Sequence, residues 1–238
     1  MAEHQNRSMA VRRTIDHLLA IICCVVAFTA LLLTPHPAMA DPVADGLAAY
    51  QRGDYPAAYK LCLPWAQHGN RDAMFLIGLM YANGHGVRQS YAEAARWYQD
   101  AADDGQDAAQ NNLGQMYAAG RGVRGSLTQA AKLYWRAADQ GNHRAQYNLA
   151  VAYRDGKGVE QDYVRAYMWY TLSAAADWDP EAHDKASKER DDLAKDMTPA
   201  QVAQAEAEAA SWRPTATHST WPLAPDDPSH ANAWPHHP

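Results

Sequence analysis

The sequence contains one literal nucleotide-binding signature, G-x-G-x-x-G, running from Gly120 to Gly125. In a dinucleotide-binding protein this motif follows a β-strand and opens a helix, so that the helix N-terminus receives the pyrophosphate. Here a helical pattern precedes the glycines, and the same Gly-x-Gly recurs at Gly84 and at Gly156. The motif therefore indicates a turn that repeats along the chain, and we expect no nucleotide cofactor.

Histidines, cysteines and acidic residues give no catalytic or metal-binding pattern either. The sequence lacks His-Glu-x-x-His, Gly-x-Ser-x-Gly and Cys-x-x-Cys motifs. The pair His236 and His237 resembles a weak metal site, although a solvated tail is the preferred interpretation. Acidic pairs such as Asp103-Asp104 are interpreted as solvated helix faces. We therefore expect a protein that is not an enzyme, with no catalytic residues, no metal and no cofactor.

The repeated glycines belong to a pattern that returns about every 36 residues and positions the other side chains. So many matches at one fixed period predict a stacked-repeat architecture. The matched sets are Gly78, Gly114 and Ala150; Tyr81, Tyr117 and Tyr153; Val87, Val123 and Val159; Ala94, Ala130 and Ala166; and Tyr98, Tyr134 and Tyr170.

Each repeat is predicted to form two helices. Apolar residues from Ala73 to Tyr81 follow helical spacing, and Gly84 ends that helix because glycine adopts the left-handed conformation at low cost. Ser90 and Glu93 have the spacing of a capping box and predict the start of the second helix.

Small and large residues alternate within a repeat, which predicts how its helices pack. Gly78 and Ala94 let the two backbones approach, and the rings of Tyr81 and Tyr98 are expected to fill the space beside them. One helix pair cannot bury both of its faces, so neighbouring repeats must cover them.

The string A-x-x-x-L-G-x-x-Y-x-x-G-x-G-V, followed by A-x-x-W-Y-x-x-A-A-x-x-G, resembles the Sel1-like repeat, a relative of the tetratricopeptide repeat. Residues 109–141 match almost throughout. Ile77 and Ala150 replace the usual Leu and Gly in other copies, and Leu133 stands at the tryptophan position of the second copy. The resemblance covers residues 43–212. It implies an all-α fold, a right-handed superhelical solenoid of about five helix pairs, that binds other proteins.

Residues 1–40 are interpreted as a signal peptide. Arg7, Arg12 and Arg13 precede an apolar run, and Ala38-Met39-Ala40 fits cleavage before Asp41. Leu18 to Leu33 is shorter than the roughly 20 residues that span a bilayer. We therefore expect export to the periplasm, with secretion as the alternative, and membrane contact only through this segment if it stays uncleaved.

The ends of the predicted solenoid are irregular. Cys62 aligns with Tyr98, so it is expected to be a small buried residue of an atypical first repeat. The proline- and histidine-rich tail, 214–238, is expected to be disordered because it cannot bury enough apolar surface. The predicted repeats lie near 43–72, 73–108, 109–144 and 145–180, with a capping helix pair at 181–213.

Partner-binding residues are predicted on the first helix of each repeat, which lines the concave side of such solenoids. Leu76 and Leu79 have inter-repeat core as an equally supported alternative. The predicted residues are Phe75, Leu76 and Leu79, then Asn111, Asn112 and Gln115, then Tyr147, Asn148, Val151 and Arg154.

Charge narrows the class of partner. The formal net charge is −6, which disfavours nucleic-acid binding. We expect a non-catalytic scaffold or adaptor that binds a protein or peptide on its concave face. Two alternatives stay open: a cell-wall or β-lactam hydrolase-like activity, linked to cysteine-rich relatives whose disulfides this chain lacks, and a periplasmic regulator of a membrane sensor.

Overall fold

A computed structural model describes residues 41–175 and 180–215. Within these ranges the chain forms ten helices and no strand, so the all-α solenoid prediction is confirmed. The predicted signal peptide and the tail from residue 216 lie outside the described residues. The helices are α1 (Pro42–Gln51), α2 (Tyr55–Gln67), α3 (Arg71–Asn83), α4 (Tyr91–Asp103), α5 (Asp107–Ala119), α6 (Leu127–Asp139), α7 (His143–Asp155), α8 (Tyr163–Ala174), α9 (Pro180–Ala194) and α10 (Pro199–Ser211).

Successive helices pack as pairs, and each pair packs on the next. We call α1, α3, α5 and α7 the first helices and α2, α4, α6 and α8 the second helices. Each first helix contacts its own second helix, and each second helix contacts the following first helix. This arrangement lets every pair cover a face that its neighbour cannot bury alone.

The ends of the helices follow the local signals in the sequence. The Ser90 hydroxyl accepts a hydrogen bond from the Glu93 amide at 3.2 Å, which caps the N-terminus of α4. The predicted reciprocal bond is not formed there, because the Glu93 carboxylate instead pairs with Arg96 at 3.0 Å. A complete capping box occurs at Thr198 and Gln201, which open α10. Gly84, Gly120 and Gly156 end first helices in the left-handed conformation.

Tyrosine rings fill the space that glycine leaves between paired helices. A Cβ atom built on Gly78 would lie 2.7 Å from the ring of Tyr98, and Gly114 has the same relation to Tyr134. Tyr98 and Tyr134 are buried, as predicted. Tyr81 is only half-buried, contrary to the prediction, because it lies in the last turn of α3, where its hydroxyl meets that of Tyr59 at 3.3 Å.

The glycine-rich loops connect neighbouring repeats as well as turning the chain. Gly122, in the loop after α5, lies against the Tyr91 carbonyl at the start of α4. Gly158 lies in the same way against the Leu127 carbonyl at the start of α6, and Gly86 packs on Tyr55 at the start of α2. Each loop therefore rests on the second helix of the preceding repeat, where a Cβ atom would not fit.

The first helix pair keeps the repeat geometry with a shorter loop. Gly46 in α1 packs on the sulfur of Cys62, as Gly78 packs on the ring of Tyr98. Cys62 is completely buried, as predicted. Because the 52–54 turn replaces the longer 84–90 loop, Gly46 corresponds to Gly78 and Leu47 to Leu79.

The C-terminal helices close the solenoid differently from a regular repeat. Both α9 and α10 pack chiefly on α8, although the sequence suggested a helix pair. Beyond α10, the ring of Trp212 packs edge-on against Trp169, with centroids 6.0 Å apart. The Thr215 amide then donates a hydrogen bond to the Asp139 carbonyl at 2.9 Å, and its hydroxyl donates to the Asp139 carboxylate. The first residues of the predicted tail are therefore attached to the end of α6.

Candidate partner-binding surface

The predicted binding residues differ widely in their accessibility. Leu76 is 2% exposed and Asn111 3% exposed, so neither can touch a partner in this conformation. Between the two alternatives for Leu76, burial selects the inter-repeat core. Gln115 is exposed, and the other seven are half-buried: Phe75, Leu79, Asn112, Tyr147, Asn148, Val151 and Arg154.

The central amides bond to one another across three helices. The Asn148 side chain in α7 donates to the Asn111 side chain in α5 at 2.8 Å. Asn111 donates to the Asn112 side chain at 3.3 Å, and Asn112 donates to the Tyr98 hydroxyl in α4 at 3.3 Å. These amides therefore connect repeats, and Asn111 has both ends of its amide engaged.

Burial is the largest influence on the pKa of Tyr98, which lies at the end of this chain of amides. Desolvation raises the pKa of Tyr98 to about 12, although the hydrogen bond from Asn112 acts in the opposite direction. The hydroxyl therefore stays protonated at neutral pH, and the chain consists of neutral groups.

Helix α9 covers the predicted residues of the third repeat. The Lys185 ammonium lies 4.5 Å from the centre of the Tyr147 ring, which also packs edge-on against Tyr170. Arg154 forms ion pairs with Glu189 and with Asp155. The hydrogen bond from Arg154 is the largest cause that lowers the pKa of the Asp155 carboxyl. Tyr147 and Arg154 thus already have intramolecular partners.

The N-terminal end of the same surface is apolar and more open. Phe75 and Leu79 are half-buried, and the Phe75 ring lies 5.9 Å from that of Tyr98. Leu47 is 46% exposed and occupies the position on α1 that Leu79 occupies on α3. Val43 corresponds to Phe75 in the same register and is half-buried. We call these four residues, Val43, Leu47, Phe75 and Leu79, the N-terminal apolar patch.

The sequence-based prediction missed Leu47 and Val43. The signal was present in Gly46, which is the counterpart of Gly78 once the shorter loop before α2 is taken into account. A strict period of about 36 residues placed the first helix out of register and so concealed the equivalence.

A polar groove of about 450 Å³ lies where α9 meets the end of α7. Asp155, Glu189, Asp192 and Asp196 line it together with Arg154. Across residues 41–175 and 180–215, no group of three or more histidine, cysteine or acidic side chains is arranged to hold a metal ion. In the same ranges no helix is both long and apolar enough to cross a membrane.

Stacked helix pairs in which each repeat contacts only its neighbours define the class of helical-repeat solenoid proteins. The Sel1 repeat family model matches residues 71–106, 107–142 and 143–178. These residues are three consecutive Sel1 repeats, and each match begins at the first residue of a first helix. Sel1 repeat proteins generally mediate protein–protein interactions, and their fold typically serves as a non-catalytic scaffold.

The solved structures that resemble the chain include those of two bacterial proteins. A Sel1 repeat protein from Oxalobacter formigenes is 34% identical over 56% of this chain and 54% of its own, with a TM-score of 0.53. The protective antigen c5321 of uropathogenic Escherichia coli, which displays an SLR fold, is 25% identical over 70% of this chain and 45% of its own, with a TM-score of 0.49. The chain thus spans about half the length of each. A comparison with curated proteins found no match.

Proposed function

We propose that this protein is an exported, non-catalytic scaffold that holds a protein or peptide on its first helices, with the N-terminal apolar patch as the anchor. The observation that carries the proposal is the exposure of Leu47, 46%, at the position on α1 that half-buried Leu79 occupies on the next first helix, α3. Contiguous apolar side chains at a surface often mark contact sites for another protein.

The remainder of the surface supports this assignment of roles. The bonded amides of Asn111, Asn112 and Asn148 hold three helices in a fixed relation, which lowers the ordering cost of binding. Gln115 and Val151 remain accessible beside them as peripheral contacts. Binding energy in protein interfaces concentrates in a few well-packed residues, and in this proposal the N-terminal apolar patch supplies them.

Export is part of the proposal and rests on residues 1–40 of the sequence. A basic start, an apolar run and a small-x-small site are typical of secretory signals. Fractionation of cells that make the full chain tests this directly. We expect a protein shortened by about 40 residues in the periplasmic or secreted fraction. A full-length cytoplasmic protein would contradict export.

The binding surface is tested with a matched pair of variants. Leu47→Gln together with Leu79→Gln replaces the two leucines of the N-terminal apolar patch. Trp65→Gln is the control, since Trp65 is 45% exposed on α2, outside the first helices. Proteins captured from the exported fraction by wild type and control, and lost with the double variant, would be the partners of this surface.

The expected loss of capture is at least about tenfold, because two anchor side chains that each contribute about 1 kcal/mol together exceed the roughly 1.4 kcal/mol that corresponds to a factor of ten. Melting curves of all three proteins exclude unfolding as the cause. If the double variant and Trp65→Gln captured the same proteins equally, the N-terminal apolar patch would not be the anchor.

A further inference from the structure

Three arginines on the glycine-rich loops form no ion pair within the described residues. Arg88 lies in the loop after α3, and Arg121 and Arg124 lie in the loop after α5; all three are exposed. Arg96 and Arg154, by contrast, pair with Glu93 and Glu189. In a chain of net charge −6, these three exposed arginines lie together on two successive glycine-rich loops.

One exposed tyrosine, Tyr91, lies between the two loops and contacts Arg121 directly. The Arg121 guanidinium lies 5.9 Å from the centre of the Tyr91 ring. The side-chain amide of Gln89, the residue after Arg88, donates a hydrogen bond to the Tyr91 hydroxyl at 3.3 Å. Tyr91 is 38% exposed and opens α4. We call Arg88, Tyr91, Arg121 and Arg124 the loop cluster.

The backbone around the loop cluster is fixed. Val87 and Val123, which precede Arg88 and Arg124, pack against the core. Gly120 and Gly122 flank Arg121 in the left-handed conformation, and Gly122 rests on the Tyr91 carbonyl. The arginines are therefore displayed outward from a rigid support, which lowers the ordering cost of binding a ligand.

We propose that the loop cluster binds an acidic peptide in the polyproline II conformation, with two carboxylates three residues apart. Gly122, two residues before Arg124, rests on the Tyr91 carbonyl, three residues after Arg88, so the two arginines lie on adjoining loops, on the order of 10 Å apart. A polyproline II helix has three residues per turn and rises about 3.1 Å per residue, so residues i and i+3 share a face about 9 Å apart.

The side chains of the loop cluster match this ligand chemically. Arginine forms two parallel hydrogen bonds with a carboxylate, which fixes the direction of the contact. Exposed aromatic rings such as Tyr91 form the platforms on which proline-rich segments pack. The cluster offers both groups within one rigid patch.

The third loop argues against an extended polyanionic surface as the ligand. Glu160 occupies the position of Arg88 and Arg124 in the next repeat and is exposed. A membrane rich in anionic lipid, or a nucleic acid running along the loops, would meet this like charge. A short peptide that spans two loops avoids it.

Three labelled peptides of equal length test the proposal with the full chain. One contains Glu-Pro-Pro-Glu, the second contains Gln-Pro-Pro-Gln, and the third contains Glu-Pro-Pro-Pro-Glu, which turns its second carboxylate to another side. Fluorescence anisotropy should show that the first binds most tightly. Its binding should weaken as salt rises from 0.05 to 0.5 M, since exposed charge pairs are screened.

Matched variants assign this binding to particular residues. Arg88→Gln and Arg124→Gln should each weaken Glu-Pro-Pro-Glu binding about fivefold. Arg52→Gln, at an exposed arginine in the turn before α2, should leave it unchanged. Glu160→Arg should strengthen binding of a longer Glu-Pro-Pro-Glu-Pro-Pro-Glu peptide, because it extends the arginine row into the third loop.

Leu79→Gln keeps this test independent of the proposed function, because it alters the N-terminal apolar patch and leaves the loop cluster intact. Equal binding of the Glu and Gln peptides, or of the two Glu spacings, would overturn the proposal. So would equal losses in Arg52→Gln and Arg88→Gln. Binding to vesicles of anionic phospholipid without binding to Glu-Pro-Pro-Glu would replace the peptide with a membrane surface.

Discussion

Within residues 41–175 and 180–215, buried tyrosines are the largest fully enclosed side chains. Tyr98 is 2% exposed and Tyr170 completely buried, and each lies between a first helix and its second helix. A glycine or alanine faces each ring, so ring and backbone fit with little free space. Replacing such a ring removes contacts that no neighbour can restore.

The different burial of Tyr98 and Tyr117 predicts that replacing each by alanine lowers the free energy of unfolding by a different amount. Tyr98→Ala should lower the free energy of unfolding by about 3–5 kcal/mol, as expected for a buried aromatic ring. Tyr117→Ala should cost less, about 1–2 kcal/mol, since that ring is only half-buried. Urea unfolding of both variants provides the comparison. Equal losses would mean that both tyrosines contribute equally to the core.

The buried phenols also predict the alkaline limit of stability. Desolvation raises the pKa of Tyr134 to about 12, from an ordinary value near 10. Above pH 10 the unfolded chain releases this proton and the folded chain keeps it, so stability falls as pH rises. The loss is about 1 kcal/mol at pH 11 for one such tyrosine. Tyr134→Phe should lessen the decline in urea midpoint between pH 9 and pH 11; an unchanged slope would exclude this phenol as a source.

At the level of elements, the glycine-rich loops act as contacts between repeats. Gly122 packs on the start of α4, and Gly158 packs on the start of α6. A repeat therefore touches its predecessor twice, once through its helices and once through its loop. Solenoid stability depends on such nearest-neighbour interfaces.

Gly120 and Gly122, in the loop after α5, allow the cost of an unfavourable backbone conformation to be distinguished from the cost of a steric clash. Gly120 and Gly122 both have positive φ, 64° and 72°. A Cβ atom on Gly120 would lie 3.7 Å from its nearest neighbour, whereas one on Gly122 would overlap the Tyr91 carbonyl. Gly120→Ala should cost about 1–2 kcal/mol, the price of a left-handed alanine. Gly122→Ala should cost more than about 3 kcal/mol in thermal or urea unfolding; equal costs would show that the loop does not press on α4.

The helices were predictable because their signals are local. Ser90 caps α4, Gly84 ends α3, and the spacing of Tyr98 from Gly78 indicates how the two helices meet. The accessibility of the candidate surface was not predictable from the same signals. Asn111 is buried by an amide of the next repeat, and Tyr147 is covered by Lys185 from α9. Both contacts depend on how separate repeats lie against each other, which periodicity alone does not specify.

At the scale of the whole molecule, the C-terminal segment ties distant parts of the chain together. Asp139 is 4% exposed, and its carboxylate accepts a hydrogen bond from Thr215, which is distant in sequence. The segment thereby fixes the helices that close the solenoid to the second Sel1 repeat. Terminal repeats usually need such an added contact because one of their faces has no neighbour.

Removing that hydroxyl should loosen the C-terminal closure. Thr215→Val keeps the shape of the side chain and leaves the buried Asp139 carboxylate short of a donor, which costs about 1–3 kcal/mol. Thr128→Val is the control, because Thr128 is exposed on α6. Hydrogen exchange should show faster opening of α10 in Thr215→Val alone. If both variants exchanged alike, the Thr215 hydroxyl would not hold the segment.

Because Thr215 is bonded to Asp139, a group attached directly after residue 215 would have a defined position on the solenoid. A dye or a fused domain joined after residue 215 would begin beside the turn between α6 and α7, near the middle of the helix row. Energy-transfer measurements from that position would therefore report distances to the second and third Sel1 repeats. A domain fused there would sterically cover those repeats more than the outermost helices.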